Sequence, residues 1–282
     1  MARLIRTGLI AVAASALCGC AGLIGSMAAD ALSTSILNQS DPALIESGVP
    51  AYLLLVDGFI HDDPDSEGLL ASGAQIYALY GSRFSTDPDA AIRMTRKARD
   101  YGTRAICAAH EPACRWDGLR YEDFVAELDD VDAKQVDCLY SYALGWLSYI
   151  EATSEDLSAV AELPWVEAAM ERALELDETH ESGAIHTWLG ILKSLRPPAL
   201  GGEPDSAQAH FDRSLELSAG KDLSVKVEYA RRYARMMYTQ DLHDRLLREV
   251  LDAPAEEDGY TLFNVLAKRD AEALLAGSQE YF

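Results

Sequence analysis

Apolar residues recur along most of the chain at intervals of three and four, the spacing that places them on one face of an α-helix. Proline, glycine and acidic residues interrupt this pattern at points that are typical of helix ends. No segment shows the alternation of apolar and polar residues that is typical of a half-buried strand. The pattern predicts an all-α fold. Helices are expected over 67–82, 137–152, 165–176, 182–195, 205–217, 223–238, 242–251 and 261–276, with others beginning at 41, 88 and 121.

The first predicted helix is the least regular one. Asp41-Pro42 is typical of a helix start, and Gly48-Val49-Pro50 is expected to interrupt that helix. The next ten residues, 51–60, are almost wholly apolar, so they must be buried or face a partner, and they are too few to span a membrane. The carboxylate-rich segment 61–65 is expected to be a solvated turn rather than a metal site.

The pattern over 188–221 predicts one helical hairpin. Its first helix stops at Arg196-Pro197-Pro198, and the chain turns through Leu200-Gly201-Gly202 before the second helix begins at Asp205. Gly190 supplies a small residue that lets the second helix approach, where Phe211 lies on the inner face. This arrangement is typical of a tetratricopeptide-type repeat with an enlarged turn. Similar hairpins before and after it predict an irregular tetratricopeptide-like helical-hairpin solenoid, capped by the last helix.

Aromatic residues recur at helical spacing within these hairpins. The usual repeat geometry would turn them toward a concave side, where they would line a groove for an apolar ligand or a partner segment. Core packing is the alternative, because aromatic residues at this spacing are ordinarily core. Arg231, Arg232 and Arg235 lie among them and are expected to pair with carboxylates on the outer face. The candidate groove residues are Tyr142, Trp146, Tyr149, Ile191, Tyr229 and Tyr233.

The N-terminus has the features of a secretory leader. Arg3 and Arg6 precede the apolar run 9–17, which is too short to span a bilayer as a stable helix. Leu17-Cys18-Gly19-Cys20 resembles the bacterial lipobox, in which the last cysteine receives a lipid before cleavage. The resemblance implies a lipoprotein signal peptide over 1–19, lipidation of Cys20 and a lipidated tether over 20–40, and the helix pattern then predicts a single all-helical tetratricopeptide-like domain over 41–282. An ordinary leader with incidental cysteines is the alternative.

Composition limits the partners of the chain. The sequence has 24 Lys and Arg residues against 46 Asp and Glu residues, for a net charge of −22. Removal of the leader takes away two arginines and no acids, which lowers the net charge to −24. A field of this sign excludes general electrostatic binding to nucleic acid or anionic lipid. It is compatible with a basic or polar protein partner.

Three cysteines follow Cys20. Cys107 and Cys114 bracket a proline in a short loop, so in an oxidising periplasm they are the easiest pair to join as a disulfide. Pairing of Cys114 with Cys138 is an alternative. A metal site at Cys107, His110 and Cys114 would lack a fourth ligand nearby. We expect no metal, no cofactor and no enzymatic activity, because the chain contains no nucleophile elbow, phosphate loop or zinc-protease motif.

Together these segments resemble the T component of TRAP (tripartite ATP-independent periplasmic) transporters, a family of helical lipoproteins with cryptic tetratricopeptide-like repeats. The resemblance covers nearly the whole mature chain. It is carried by the lipobox at Cys20, by the segment from Arg196 to Gly202, and by Ala209-His210-Phe211 with Leu215-Glu216-Leu217-Ser218.

The resemblance implies a periplasmic protein that is lipid-tethered, with the outer membrane favoured because Ala21 rather than aspartate follows Cys20. It also implies association with the transporter's substrate-binding P component, a homotrimer with a pore through each subunit, and transfer of hydrophobic or organic-acid ligands. The loop from Arg196 to Gly202 is expected at the groove mouth or at a subunit contact. A scaffold lipoprotein of the same repeat class, without a ligand, is the competing hypothesis.

Overall fold

The computed structural model describes residues 34–196, 198–200 and 202–282, and no strand occurs among them. The all-α prediction is therefore confirmed for the described part of the chain. Whether the hairpins follow a tetratricopeptide superhelix stays a prediction. The helices are α1 (Pro42–Asp62), α2 (Glu67–Arg83), α3 (Pro88–Ala109), α4 (Tyr121–Leu128), α5 (Val136–Ala152), α6 (Leu157–Val160), α7 (Leu163–Leu176), α8 (Ala184–Lys193), α9 (Pro204–Leu217), α10 (Leu223–Glu228), α11 (Gln240–Asp252), α12 (Thr261–Ala276) and α13 (Ser278–Tyr281).

Helix α1 differs from the prediction, because it continues without interruption through Pro50. The missing amide of Pro50 leaves the carbonyl of Glu46 without its helical partner. That carbonyl lies near the surface, 3.5 Å from the hydroxyl of Tyr80. By length and composition α1 could cross a membrane, the one such helix in the described residues, although core helices of soluble domains meet the same criterion. Its inner face, which includes Val49 and Leu53, is buried in the core.

The helices pack in sequence order and then return to the start of the chain. Helix α2 packs between α1 and α3, α5 packs on α2 and α3, and α7, α8 and α9 follow as successive neighbours. Helix α12 packs on α10 and α11, and it also contacts α1. One hydrophobic core extends from Ile36 to Leu192 and includes Leu262, and a second extends from Ile191 to Ala271. Trp188 packs against both cores.

Two glycines permit the closest helix contacts in the first core. A Cβ atom at Gly145 of α5 would lie 2.6 Å from the carbonyl oxygen of Ala98 in α3, and one at Gly102 would lie 2.8 Å from the carbonyl oxygen of Ser141. Real Cβ atoms do not approach backbone this closely, so both positions require glycine. In the α8–α9 hairpin, a Cβ at Gly190 would lie 3.0 Å from the ring of Phe211. The predicted small-residue contact between these helices is therefore present.

A π-helical turn interrupts the helix that was expected over 223–238. Residues Tyr229–Ala234 form this turn directly after α10. A π turn carries one extra residue per turn and shifts the side chains that follow it around the helix axis. This shift decides where Arg231 and Arg232 lie, as described below.

Candidate functional site

The first three candidate groove residues lie on α5. Tyr142 and Trp146 are each only 7% exposed, because α4 and Trp116 cover them. The ring centroid of Tyr142 lies 5.8 Å from that of Trp116, and the centroid of Trp146 lies 6.4 Å from that of Phe124. The indole N–H of Trp146 donates to Glu162 at 2.6 Å. These two side chains form part of the first core.

Tyr149, one turn further along α5, is partly exposed. The guanidinium of Arg99 lies 5.3 Å from its ring centroid and that of Arg96 lies 5.9 Å from it. Arg99 also pairs with Glu162 at 3.1 Å. Two arginines thus cover Tyr149, the partly exposed one of these three aromatic side chains. A ligand there would meet positive charge rather than an apolar surface.

The other three candidate groove residues lie in the second core. Ile191 is buried, Tyr229 stacks on Phe211 with a centroid distance of 4.9 Å, and the hydroxyl of Tyr233 donates to Gln208 at 2.9 Å. Tyr149 is therefore the one member of the six that is partly exposed. The structure does not bring the six together on one open surface.

The proline-glycine loop joins α8 to α9. Arg196 and Pro198 are exposed, a 3₁₀ turn covers Pro198–Leu200, Gly202 is partly exposed, and Pro197 and Gly201 lie outside the described residues. The amide of Glu203 donates to the carbonyl of Lys193 at 3.3 Å and closes the loop. The ammonium of Lys193 lies 2.5 Å from Glu167 and 2.8 Å from Glu171. Burial lowers the pKa of Lys193, but these carboxylates outweigh it and raise that pKa.

Cys107 and Cys114 form a disulfide at the end of α3, and Cys138 is a buried free thiol whose pKa burial raises to about 12. Cys20 lies outside the described residues. Among the residues that the structure describes, no group of three or more His, Cys, Asp or Glu side chains is placed to hold a metal ion.

Six charged side chains meet where the N-terminal helices face the C-terminal ones, and we call this group the charged seam. Three arginines and three carboxylates contribute to it from α2, α5, α10, the π turn and α12. Ion pairs across the seam join residues that are far apart in the chain. Its members are Arg83, Glu151, Glu228, Arg231, Arg232 and Asp270.

Asp270 of α12 is the best-paired carboxylate of the seam. It accepts from Arg83 at 2.9 Å and from Arg231 at 2.6 Å. Burial raises the pKa of Asp270, but these two guanidinium groups outweigh that effect, so the net shift is downward. Glu228 pairs with both Arg231 and Arg232.

Glu151 of α5 is the least satisfied member. Its nearest cation is Arg232, with 3.5 Å between Oε1 and Nη2. Burial raises the pKa of Glu151, and the charge of Arg232 only partly offsets this. Its side chain is 38% exposed, so water reaches this carboxylate at the edge of the seam.

The seam can hold an organic anion by exchange of partners. Guanidinium groups are planar and bind carboxylates through two parallel hydrogen bonds. Arg232 is one-third exposed and holds its two carboxylates at long distances of 3.4 and 3.5 Å. A ligand carboxylate could therefore replace Glu151 on Arg232 without breaking a short bond. The π turn that presents Arg231 and Arg232 is a geometry found often at functional sites.

The sequence predicted that the arginines of the π turn pair with carboxylates, but it did not correctly predict where they lie. Arg231 and Arg232 pair with carboxylates, as expected, but they lie between the N-terminal and C-terminal helices rather than on the outer face. Arg83 and Asp270 are 187 residues apart, so no local pattern could have joined them.

Residues 38–282 match the family model described as TRAP transporter T-component. The chain belongs to this family. The T-component family is a transport family rather than an enzyme family. Because the chain belongs to it, this T component is part of a TRAP transporter system in the cell envelope. None of the curated proteins matches the chain significantly.

A pair of imidazoles forms the second titratable cluster of this T component. The Nδ1 atoms of His186 in α8 and His210 in α9 are 2.8 Å apart, and His186 Nε2 lies 3.3 Å from Glu178. Arg213 holds Glu178 through two hydrogen bonds, which is the main reason that the pKa of Glu178 is lowered to about 2. Burial, followed by the charge of His186, lowers the pKa of His210 to about 4.

Proposed function

We propose that this T component binds the substrate-binding P component of its TRAP transporter and passes an organic-acid ligand along the charged seam. The observation that supports the ligand class is the accessible, loosely paired guanidinium of Arg232 opposite Glu151. An apolar ligand would need an open apolar groove, and five of the six side chains that would line it are buried. Among hydrophobic and organic-acid ligands, this favours an organic acid.

Family membership supports the role in transport, and the resemblance to T components supports the finer points. These are the tether through a lipid on Cys20, an outer-membrane location and a homotrimer with a pore through each subunit. Mass spectrometry of the mature protein should find a lipid-modified cysteine as residue 20. An unmodified Cys20 in protein isolated from membranes would show that no lipid on this residue tethers the chain.

Binding of the P component separates the transport role from the scaffold hypothesis. The purified P component of the same transporter should form a saturable complex with this T component, as measured by isothermal titration calorimetry. A scaffold would bind neither the P component nor a small organic acid. Absence of both under mild conditions would therefore support the scaffold and overturn the proposal.

A further inference from the structure

The outward face of α1 carries four of the eleven large hydrophobic side chains that are exposed among the described residues, and we call it the α1 ridge. Leu54 is 72% exposed, Leu55 is 55%, Leu44 is 54% and Phe59 is 41%. No charged residue lies on this face between Leu44 and Phe59, because Glu46 and Asp57 point toward the flank of the helix. At 1.5 Å per residue the ridge is about 22 Å long. Contiguous exposed apolar surface of this kind marks an interaction site.

Small residues give the ridge a shape that fits another apolar surface. Gly48 and Gly58 lie on the same face, and a Cβ atom at either would meet nothing within 4 Å. Glycine in an exposed helix interior is less stable than alanine, so neither residue is explained by the packing of α1 itself. The two glycines leave gaps beside the leucines and Phe59, into which partner side chains can insert.

The charged side chains that residues 41–65 place around the ridge are all carboxylates, and on the flank Lys97 pairs with Asp57 at 2.5 Å while Arg104 donates to the carbonyl of Pro64. Residues 7–82 contain no lysine or arginine. Five exposed carboxylates flank the two ends and one side of the ridge, and α1 offers no cation to neutralise them. We call them the acidic rim: Asp41, Glu46, Asp62, Asp63 and Asp65.

The acidic rim decides which occupant fits the ridge. Helices that lie on membranes carry lysine and arginine beside their apolar face, and anionic lipids would repel this rim. A second copy would bring another strongly acidic surface to this rim, because the chain carries a net charge of −22, and this is unfavourable. A protein surface with an apolar groove framed by lysine or arginine satisfies both the ridge and the rim.

We propose that the α1 ridge is the surface on which this T component docks its substrate-binding P component, through an apolar groove with a basic frame on that partner. The inference rests on the proposed function for the identity of the partner. It adds the surface that the partner contacts and the chemistry that the partner must present.

The test is a calorimetric titration of the P component into this T component and its variants. Leu54→Asp places a charge in the centre of the ridge, and Leu157→Asp is the matched control, because Leu157 is 80% exposed on α6. We expect Leu54→Asp to weaken binding by at least about ten-fold and the control to leave it unchanged. Gly58→Gln, which fills a gap without adding charge, should weaken binding as well. Asp62→Asn with Asp63→Asn should reduce the dependence of binding on salt.

The other possible results show separately whether the docking surface, its occupant or the proposed function is wrong. Tight binding of the P component by wild type and by both ridge variants would overturn the docking surface and leave the proposed function intact. No binding by wild type would overturn both. A change in the oligomeric mass of Leu54→Asp would assign the ridge to a second copy. Flotation of the unlipidated chain with phosphatidylcholine and phosphatidylglycerol vesicles, lost in Leu54→Asp, would assign it to a membrane, and either result would overturn the inference.

Discussion

At the scale of single residues, the imidazole pair of the α8–α9 hairpin makes stability depend on pH. A hydrogen bond between two Nδ1 atoms needs one donor and one acceptor, so the pair is stable when at most one ring is charged. Burial lowers the pKa of His186, and Glu178 only partly offsets it. For His210, burial and the nearby His186 and Lys193 lower the pKa to about 4, and Glu203 opposes them.

This pair predicts a loss of stability in mild acid. The unfolded chain takes up protons below the ordinary histidine pKa of 6.5, whereas folded His210 stays neutral until about pH 4. The stabilisation is therefore complete above pH 6.5 and is lost as the pH falls toward 4. We expect the free energy of unfolding to fall by about 1–3 kcal/mol over this range from this site. Urea denaturation at successive pH values measures it.

The control for the pH prediction is His210→Gln, which keeps a hydrogen-bonding side chain but does not titrate. Between pH 6.5 and 4, the free energy of unfolding should fall less steeply with pH in this variant than in wild type. Equal slopes would show that the pH dependence comes from other groups and that the imidazole pair does not contribute.

At the scale of helices, close approach at glycine stabilises the contact between α3 and α5. Alanine is the better helix former by about 1 kcal/mol, so propensity alone would favour Gly145→Ala. The added Cβ would lie 2.6 Å from the carbonyl oxygen of Ala98, and this backbone atom cannot move aside without shifting α3. We expect Gly145→Ala to destabilise the fold by about 1–3 kcal/mol.

The matched change is Gly48→Ala on α1, where the added Cβ meets nothing within 4 Å. It should stabilise the fold by about 0.5–1 kcal/mol through helix propensity. Urea denaturation of the two variants side by side compares them. If both variants changed the free energy of unfolding in the same direction, Gly145 would not lie at a tight helix contact.

Local pattern predicted most helices and missed features that depend on distant contacts. The periodicity of 261–276 gave both ends of α12 correctly, because helix caps and apolar spacing are local. Pro50 and the π turn at Tyr229–Ala234 were missed, because packing on neighbouring helices stabilises both against local preference. His243 lies near the start of the predicted helix 242–251, and no local signal shows that it is fully buried against Phe282.

At the scale of the whole molecule, polar contacts close the chain on itself. Asn38 donates to Asp258 at 3.0 Å and accepts from the amide of Gly259 at 2.7 Å, while Arg83 pairs with Asp270. The charged seam lies along this closure. The sequence could not predict it, because its ion pairs join residues from opposite halves of the chain and each arginine has many carboxylates as alternatives.

Binding of an organic acid at the charged seam can be measured by calorimetry with a panel of carboxylic acids. The panel extends from acetate through dicarboxylates to sugar acids. Wild type is compared with Arg232→Gln and with Arg245→Gln, whose arginine is 65% exposed and pairs with Glu249 on the surface. At least one acid should bind wild type and Arg245→Gln equally and bind Arg232→Gln at least about ten-fold more weakly. Binding that Arg232→Gln does not change, or no binding across the panel, would show that the seam does not bind an organic acid.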